Sequence, residues 1–491
     1  MLAFESECIQ VDQALYDSLT KFDFITSKIE PDVATSWDVN SDATVFTFHL
    51  KPGTKFHNGR VVTAADFKYE WVRLSDPANK SNYSYLLGMI KGYDDLQSGK
   101  SKDLAGVVAT DDNTLTVTLA YPFADFPYVV AFPDAAPVPK EAVEKDPKAF
   151  ADMPIGNGPF MMKEPWQHGQ SITLVKFPDY AGTKPNIDGI NFKIYSDIQT
   201  AFVDFKAGNL DWTAIPPGQY KATVAQYGLS DDGLTANPGK QVQNGQELGI
   251  YEILMNNKDP LFKNIDLREA CSLAINRQAI CDTVWEGVRK PASSIIPAGT
   301  VGYEADAWQF SHYDVTAAKA ALAKAGYPNG AGLPTLKLSF NSGAGHENIM
   351  QLVQADLKAI GINTTFDTSD APTYWDKVGK GNFQIGRSGW SADYPIIDDF
   401  LYPLFYSTSA TNFDHYSNPV DDNAITDARQ VADDTARLAA EQAVVKLVGN
   451  DVPEIPIATY AHERVTSSRV HNLIYSPMTY LDFQSCWISG S

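Results

Sequence analysis

From residue 314 onward the chain alternates helical stretches that carry one apolar face with short strand-like stretches, and this alternation constrains the fold more than any other feature. "DVTAAKAALAKAGYPNG" (314–330) has Asp314 as an N-cap, Gly326 as a C-terminal stop and Pro328 just beyond it. "HENIMQLVQADLKAIGI" and "DDNAITDARQVADDTARLAAEQAVVKLVGN" read as two more amphipathic helices, separated by strand-like segments. Helices of this kind bury their apolar stripe on a sheet, so the second half is expected to be α/β.

The first half reads differently. Residues 30–60 predict strands: "ATVFTFHL" alternates apolar and polar positions between Asn-Ser-Asp and Pro-Gly. A helix follows in "TAADFKYEWVRL", where Thr63 and Asp66 form a capping-box start and Phe67, Trp71 and Leu74 share one stripe. "TDDNTLTVTLAYPF" (110–123) adds a turn and a strand, "SITLVKF" another strand, and "TAFVDFKAGNLDW" (200–212) a short helix closed by Gly208. A mixed sheet with an inserted β-rich piece is the expected architecture. No 20–50-residue repeat and no low-complexity tract interrupts it.

At 491 residues the chain is long enough for two or three globular units. Its net charge of −21 opposes contact with phosphate backbones and anionic lipid, so no nucleic-acid partner is expected. No stretch approaches the eighteen or so apolar residues of a membrane helix. The opening "MLAFESECIQ" shows no export signal, and Cys8 lacks the lipobox residues before it. Either the protein stays inside the cell or a leader lies upstream. Cysteines at 8, 271, 281 and 486 have no metal spacing; a Cys8–Cys486 bridge between the chain ends and buried thiols are both open.

Catalytic motifs are missing: there is no GxSxG elbow, no phosphate loop, no HExxH helix and no complete GxGxxG, and the eight histidines are scattered. Asp398 and Asp399 near Asp393 could be imagined as a hydrolase pair, but several acids after a proline turn read more simply as solvated turn chemistry. The question that remains is "GWSADYPIIDDFL" (389–401), which sets Asp393 between Trp390 and Tyr394. A carboxylate among rings either caps its own turn or awaits a cationic ligand group.

"EPDVATSWDVNSDATVFTFHLKPGTKFHNGRVVTAADFKYEWVRL" (30–74) resembles the peptide-type solute-binding proteins of ABC importers, solute-binding protein family 5, cluster C, which include oligopeptide and dipeptide receptors. Further stretches match in order: "IGNGPF" (155–160), "FPDYAGTKPNIDGINFKIYSD" (177–197), "FKAGNLD" (205–211), "NIDLREACSLAINRQAI" (264–280), "AKAGYPNG" (323–330) and "GWSADYP" (389–395). Phe177 departs from the family's usual Asn. The resemblance implies a two-lobed α/β fold of the periplasmic-binding-protein type II class, with an extra β-rich subdomain on lobe I. Lobe I would take residues 1–28, 152–252 and 464–491, the subdomain 29–151 and lobe II 253–463.

It also implies a monomeric, non-enzymatic receptor outside the cell or in the periplasm, with no cofactor and no bound metal, touching the membrane only through a lipid anchor outside this sequence. Its partners would be a peptide and an ABC permease with its ATPase. Receptors for oligosaccharides, opines, nickel chelates or haem belong to the same family and are the alternative, a secreted hydrolase a weaker one. By resemblance Asp393 receives the ligand's α-ammonium, and Gly389, Trp390 and Ser391 offer backbone for an added peptide strand. Trp390 and Tyr394 stand as pocket wall or as core. Arg387 and His346 match positions near the ligand's far end and would hold a carboxylate; the alternatives are an ion pair for Arg387 and a solvated helix start for His346. Phe4, Glu5 and Ser6 match lobe I backbone that closes over the peptide.

Overall fold

The computed structural model describes residues 6–490. A four-stranded antiparallel sheet runs in the order Ala34–Val39, Val45–Leu50, Thr114–Thr118, Val107–Asp111. Its alternating pattern buries Phe46, Phe48 and Leu50 on one face. The helix Ala64–Ser75 lies over that face with Trp71 fully buried, and its capping box forms as the sequence predicts.

The second-half alternation becomes a six-stranded mixed sheet, ordered Lys290–Pro291, Glu454–Ala461, Gln246–Met255, Ile385–Ser391, Leu336–Asn341, Thr364–Ser369. Leu336–Asn341 pairs in parallel with Thr364–Ser369, joined by the helix His346–Ala359, as a βαβ unit requires. A smaller sheet sets Arg464–Thr466 between Trp212–Ala214 and Val242–Gln243. The chain therefore crosses between these two bodies twice, after Gln243 and after Ala461. Beside the crossings the buried His462 ring meets Glu247 at 2.9 Å.

Two expectations are corrected, and of the two alternatives for the cysteines one is found. Residues 421–450 are not one helix: Pro419–Arg429 ends, and Asp433 accepts the Ala436 N–H at 2.9 Å to start Asp434–Asp451. Asp398 and Asp399 are not solvated turn acids, for both are buried at the start of the helix Asp398–Phe405. No disulfide joins Cys8 to Cys486; none of the four cysteines is bridged, and burial pushes the thiols of Cys271, Cys281 and Cys486 up to about 12.

Two contacts tie the β-rich region and the small-sheet body to the large-sheet body. Arg437 grips Asp125 with two hydrogen bonds of 2.7 and 2.9 Å, and Glu286 accepts the N–H groups of Tyr220 and Lys221 at the start of the helix Tyr220–Tyr227. Both are charge-assisted, and the first is buried.

Candidate functional site

The strand Ile385–Ser391 organises the site. One edge pairs along its whole length with Gln246–Met255. The other pairs with Leu336–Asn341 only at Ile385 and Gly386, so from Arg387 onward no strand among the described residues covers it. At the end of the paired part the Tyr374 hydroxyl donates to the Arg387 carbonyl at 2.6 Å. A Cβ at Gly389 would stand 1.9 Å from the Tyr460 hydroxyl oxygen and 3.0 Å from the Ile250 carbonyl oxygen. Only glycine lets Tyr460 lie over the strand there.

Asp393 follows this strand and is 6% exposed. It does not cap its own turn with its side chain; that task falls to Asp399, whose Oδ2 accepts the Asp393 N–H at 2.9 Å and the Trp390 Nε1–H at 3.0 Å. The Asp393 carboxylate instead accepts the hydroxyls of Tyr85 and Tyr83, from the β-rich first part of the chain. Burial pushes it up to about 7, with the two hydroxyls pulling the other way. Asp399 is raised well above the usual carboxylate range by burial and then by Asp393. No lysine or arginine among the described residues is paired with Asp393.

Trp390 and Tyr394 are buried in the core. Trp390 packs in the large apolar cluster with its ring N–H spent on Asp399, while Tyr394 is 1% exposed and donates to Asp398 at 2.9 Å. Asp398 is bound by Arg429 at 2.8 Å, whose guanidinium lies 3.9 Å from the Tyr402 ring centre. These pairs hold the Asp393 turn rigid from behind. Gly389 and Ser391 keep their place on the uncovered edge.

Arg387 makes no ion pair among the described residues. Its guanidinium donates to Asn341 Oδ1, from Nε at 2.8 Å, and lies 4.9 Å from the Trp375 ring centre. His346, the first residue of its helix, is not solvated: Nδ1 meets the Tyr251 hydroxyl at 3.0 Å. Burial, then Arg387 and Arg289, pull this imidazole down to about 3, so it is neutral and contributes an N–H, not a charge. Ser6 begins the helix Ser6–Leu15, so it does not offer extended backbone, and Phe4 and Glu5 lie outside the described residues.

Sequence reasoning missed Tyr83, Tyr85, Asp399 as the turn's cap, Tyr460 and Arg289. Tyr85 meets Asp393 across 308 positions, which no local pattern reports. Arg289 lies 4.7 Å from the ring centres of both Trp285 and Tyr460. Its spacing from Trp285 on one short segment is the signal available in the sequence.

The geometry is that of a buried carboxylate and an uncovered strand edge between two bodies, with two guanidinium groups farther along. The profile of the bacterial extracellular solute-binding proteins, family 5, middle region, matches residues 28–412. This chain belongs to that family. Among its relatives, the oligopeptide-binding protein OppA of Bacillus subtilis (strain 168) is 30% identical over 486 residues, covering 96% of this chain and 87% of the relative. The solved structure of the Escherichia coli murein tripeptide binding protein MppA superposes with a TM-score of 0.88 at 27% identity, covering 100% of this chain and 95% of that one.

The unliganded open form of MppA superposes with a TM-score of only 0.72 at the same 27% identity, covering 98% and 92%. The family 5 fold is two-lobed. Family membership also sets aside the hydrolase: these proteins bind solutes and act outside the cytoplasm. No helix among the described residues is long and apolar enough to cross a membrane.

Proposed function

We propose that this protein captures short peptides between its lobes and hands them to the permease of an ABC importer as a monomer. The carrying observation is Asp393: a buried carboxylate supplied with two tyrosine hydroxyls but with no basic partner among the described residues. An α-ammonium brings the missing charge and further donors. The names of the Bacillus and Escherichia relatives, oligopeptide- and murein tripeptide-binding, support the same ligand class.

The uncovered edge at Gly389 and Ser391 would pair with the ligand backbone as an added strand, which gives affinity independent of side chains. Arg387, already oriented by Asn341 and Trp375, and the neutral His346 would hold the terminal carboxylate. Residues 253–463 would move as lobe II against lobe I with its subdomain.

The test is mass spectrometry of what co-purifies with the protein, followed by calorimetry with di- to pentapeptides. Binding of free-amine peptides by the wild type, with loss on N-acetylation and in Asp393→Asn, is the expected result. Equal binding of acetylated and free peptides overturns the assignment.

A further inference from the structure

Arg387 is held in a way that keeps its charge. Its strand pairs with Leu336–Asn341 at Ile385 and Gly386 and then parts from it, and the Asn341 side chain reaches across that gap. The guanidinium gives its Nε–H, at 2.8 Å, and one Nη2–H to the same Asn341 oxygen. A guanidinium has donors only, so the amide must turn its oxygen toward Arg387 and its N–H groups away. Asn341 is 5% exposed, and its Nδ2 has no hydrogen-bond partner among the described residues. The Trp375 and Tyr374 rings, 4.9 and 5.8 Å from the guanidinium carbon, complete the seat.

The other N–H groups of Arg387 find no acceptor among the described residues. Nor does a carboxylate pair with it there. Asp367, on the strand beyond Leu336–Asn341, is taken by Lys377 at 2.6 Å and by the Ser339 hydroxyl at 3.0 Å. Glu252, on the strand along the other edge, is 1% exposed, and burial pushes it up to about 7, so it is only partly charged at neutrality. If orientation were all that position 341 supplied, aspartate would serve better: it has the same shape, and its second oxygen would complete a two-bond fork with Nε and Nη2. It would also cancel the charge. An amide fixes the guanidinium and leaves it a cation, and a half-buried cation without a counter-charge is unfavourable until an anion arrives.

We infer that Asn341 sets a preference for peptides that end in a free carboxylate, by orienting Arg387 without neutralising it. This rests on the peptide reading above and names the residue that makes its far anchor selective. The open Nδ2–H groups belong to the same amide and would donate to that carboxylate as well.

The experiment compares di- to pentaalanine with their C-terminal amides, by calorimetry at pH 7.5 on wild type, Asn341→Asp and Asn341→Ala. Wild type should bind the free acids at least about tenfold more tightly than the amides. Asn341→Asp, which keeps the bonds to Arg387 and cancels its charge, should bring that ratio toward one. Asn341→Ala, which loses the bonds and keeps the charge, should retain a preference of at least about threefold. A ratio near one in wild type, which needs no variant to fold, overturns the inference and leaves the ammonium site at Asp393 standing. An Asn341→Asp ratio equal to that of wild type, or an Asn341→Ala ratio near one, overturns it too. Failure of every free acid to bind wild type brings down the peptide reading itself.

Discussion

Peptide affinity should fall steeply on acidification, because the group that receives the ammonium holds its own proton in the empty site. Asp393 lies at about 7 without ligand. An ammonium in contact with it favours the ionised form and lowers that value, so binding below pH 7 must expel one proton. The dissociation constant then approaches a tenfold rise per pH unit, to roughly fivefold weaker at pH 6 and about fiftyfold weaker at pH 5 than at neutrality. Above about 8 the ligand's own amine deprotonates, so affinity is greatest between roughly 7 and 8. Calorimetry in two buffers of different ionisation enthalpy counts the protons directly: about one released per peptide at pH 6, and about none in Asp393→Asn. An affinity constant between pH 5 and 7, or the same slope in wild type and Asp393→Asn, would refute the reasoning.

The ligand-free protein should be more stable near pH 5 than at pH 7.5. Folding raises Asp12 to about 6 and Glu252 and Asp393 to about 7, so the folded state keeps protons that the unfolded chain has released and stability declines as pH climbs from about 4 to 7. Each such group contributes on the order of 1 kcal/mol per pH unit in that window, and urea titrations at several pH values measure the sum. Replacing Arg387 by Gln should weaken peptide binding by about ten- to a hundredfold; amidating the peptide's carboxylate should cost the wild type the same and the variant little more, a cycle that calorimetry closes. Gly389→Ala drives a methyl into the Tyr460 hydroxyl and should destabilise by about 1–3 kcal/mol in thermal melts, with Tyr460→Phe restoring part of the loss.

What the sequence disclosed follows the range of the interactions involved. The capping box at Thr63 and Asp66, the N-cap at Asp314 and the left-handed stops at Gly208 and Gly326 act within four residues, and the structure has them where the residues place them. The failures are of two kinds. In 421–450 the apolar period runs on unbroken, but the Asp433 side chain captures an N–H and starts a new helix, so a local hydrogen bond overrides the pattern. Asp398 and Asp399 look solvated because their partners are not in the segment: Arg429 neutralises one, and Trp390 with the Asp393 amide holds the other. The tyrosines on Asp393 come from another part of the chain altogether, and nothing in "SNYSYLL" announces that it will meet a turn 308 residues on.

The placement of those tyrosines also explains how a ligand would close the protein. Tyr83 and Tyr85 belong to the β-rich first part of the chain and Asp393 to the body built on the six-stranded sheet, so the carboxylate is buried only when the two are together. Apart, Asp393 is hydrated; together without a guest it holds a proton up to about pH 7, so the empty closed form is opposed at neutral pH and gains population as the pH falls. An ammonium removes that opposition and has full effect only in the closed arrangement, where water no longer competes. A ligand moves such an equilibrium only by its difference in affinity for the two states, and a charge site completed at the seam between bodies places that difference where the motion occurs. On this argument Asp393→Asn, which is neutral at every pH, should close more readily when empty and respond less to peptide. Small-angle scattering with and without ligand measures both: a wild type and a variant that compact equally on adding peptide would show that the closing force comes from the backbone edge and Arg387 alone.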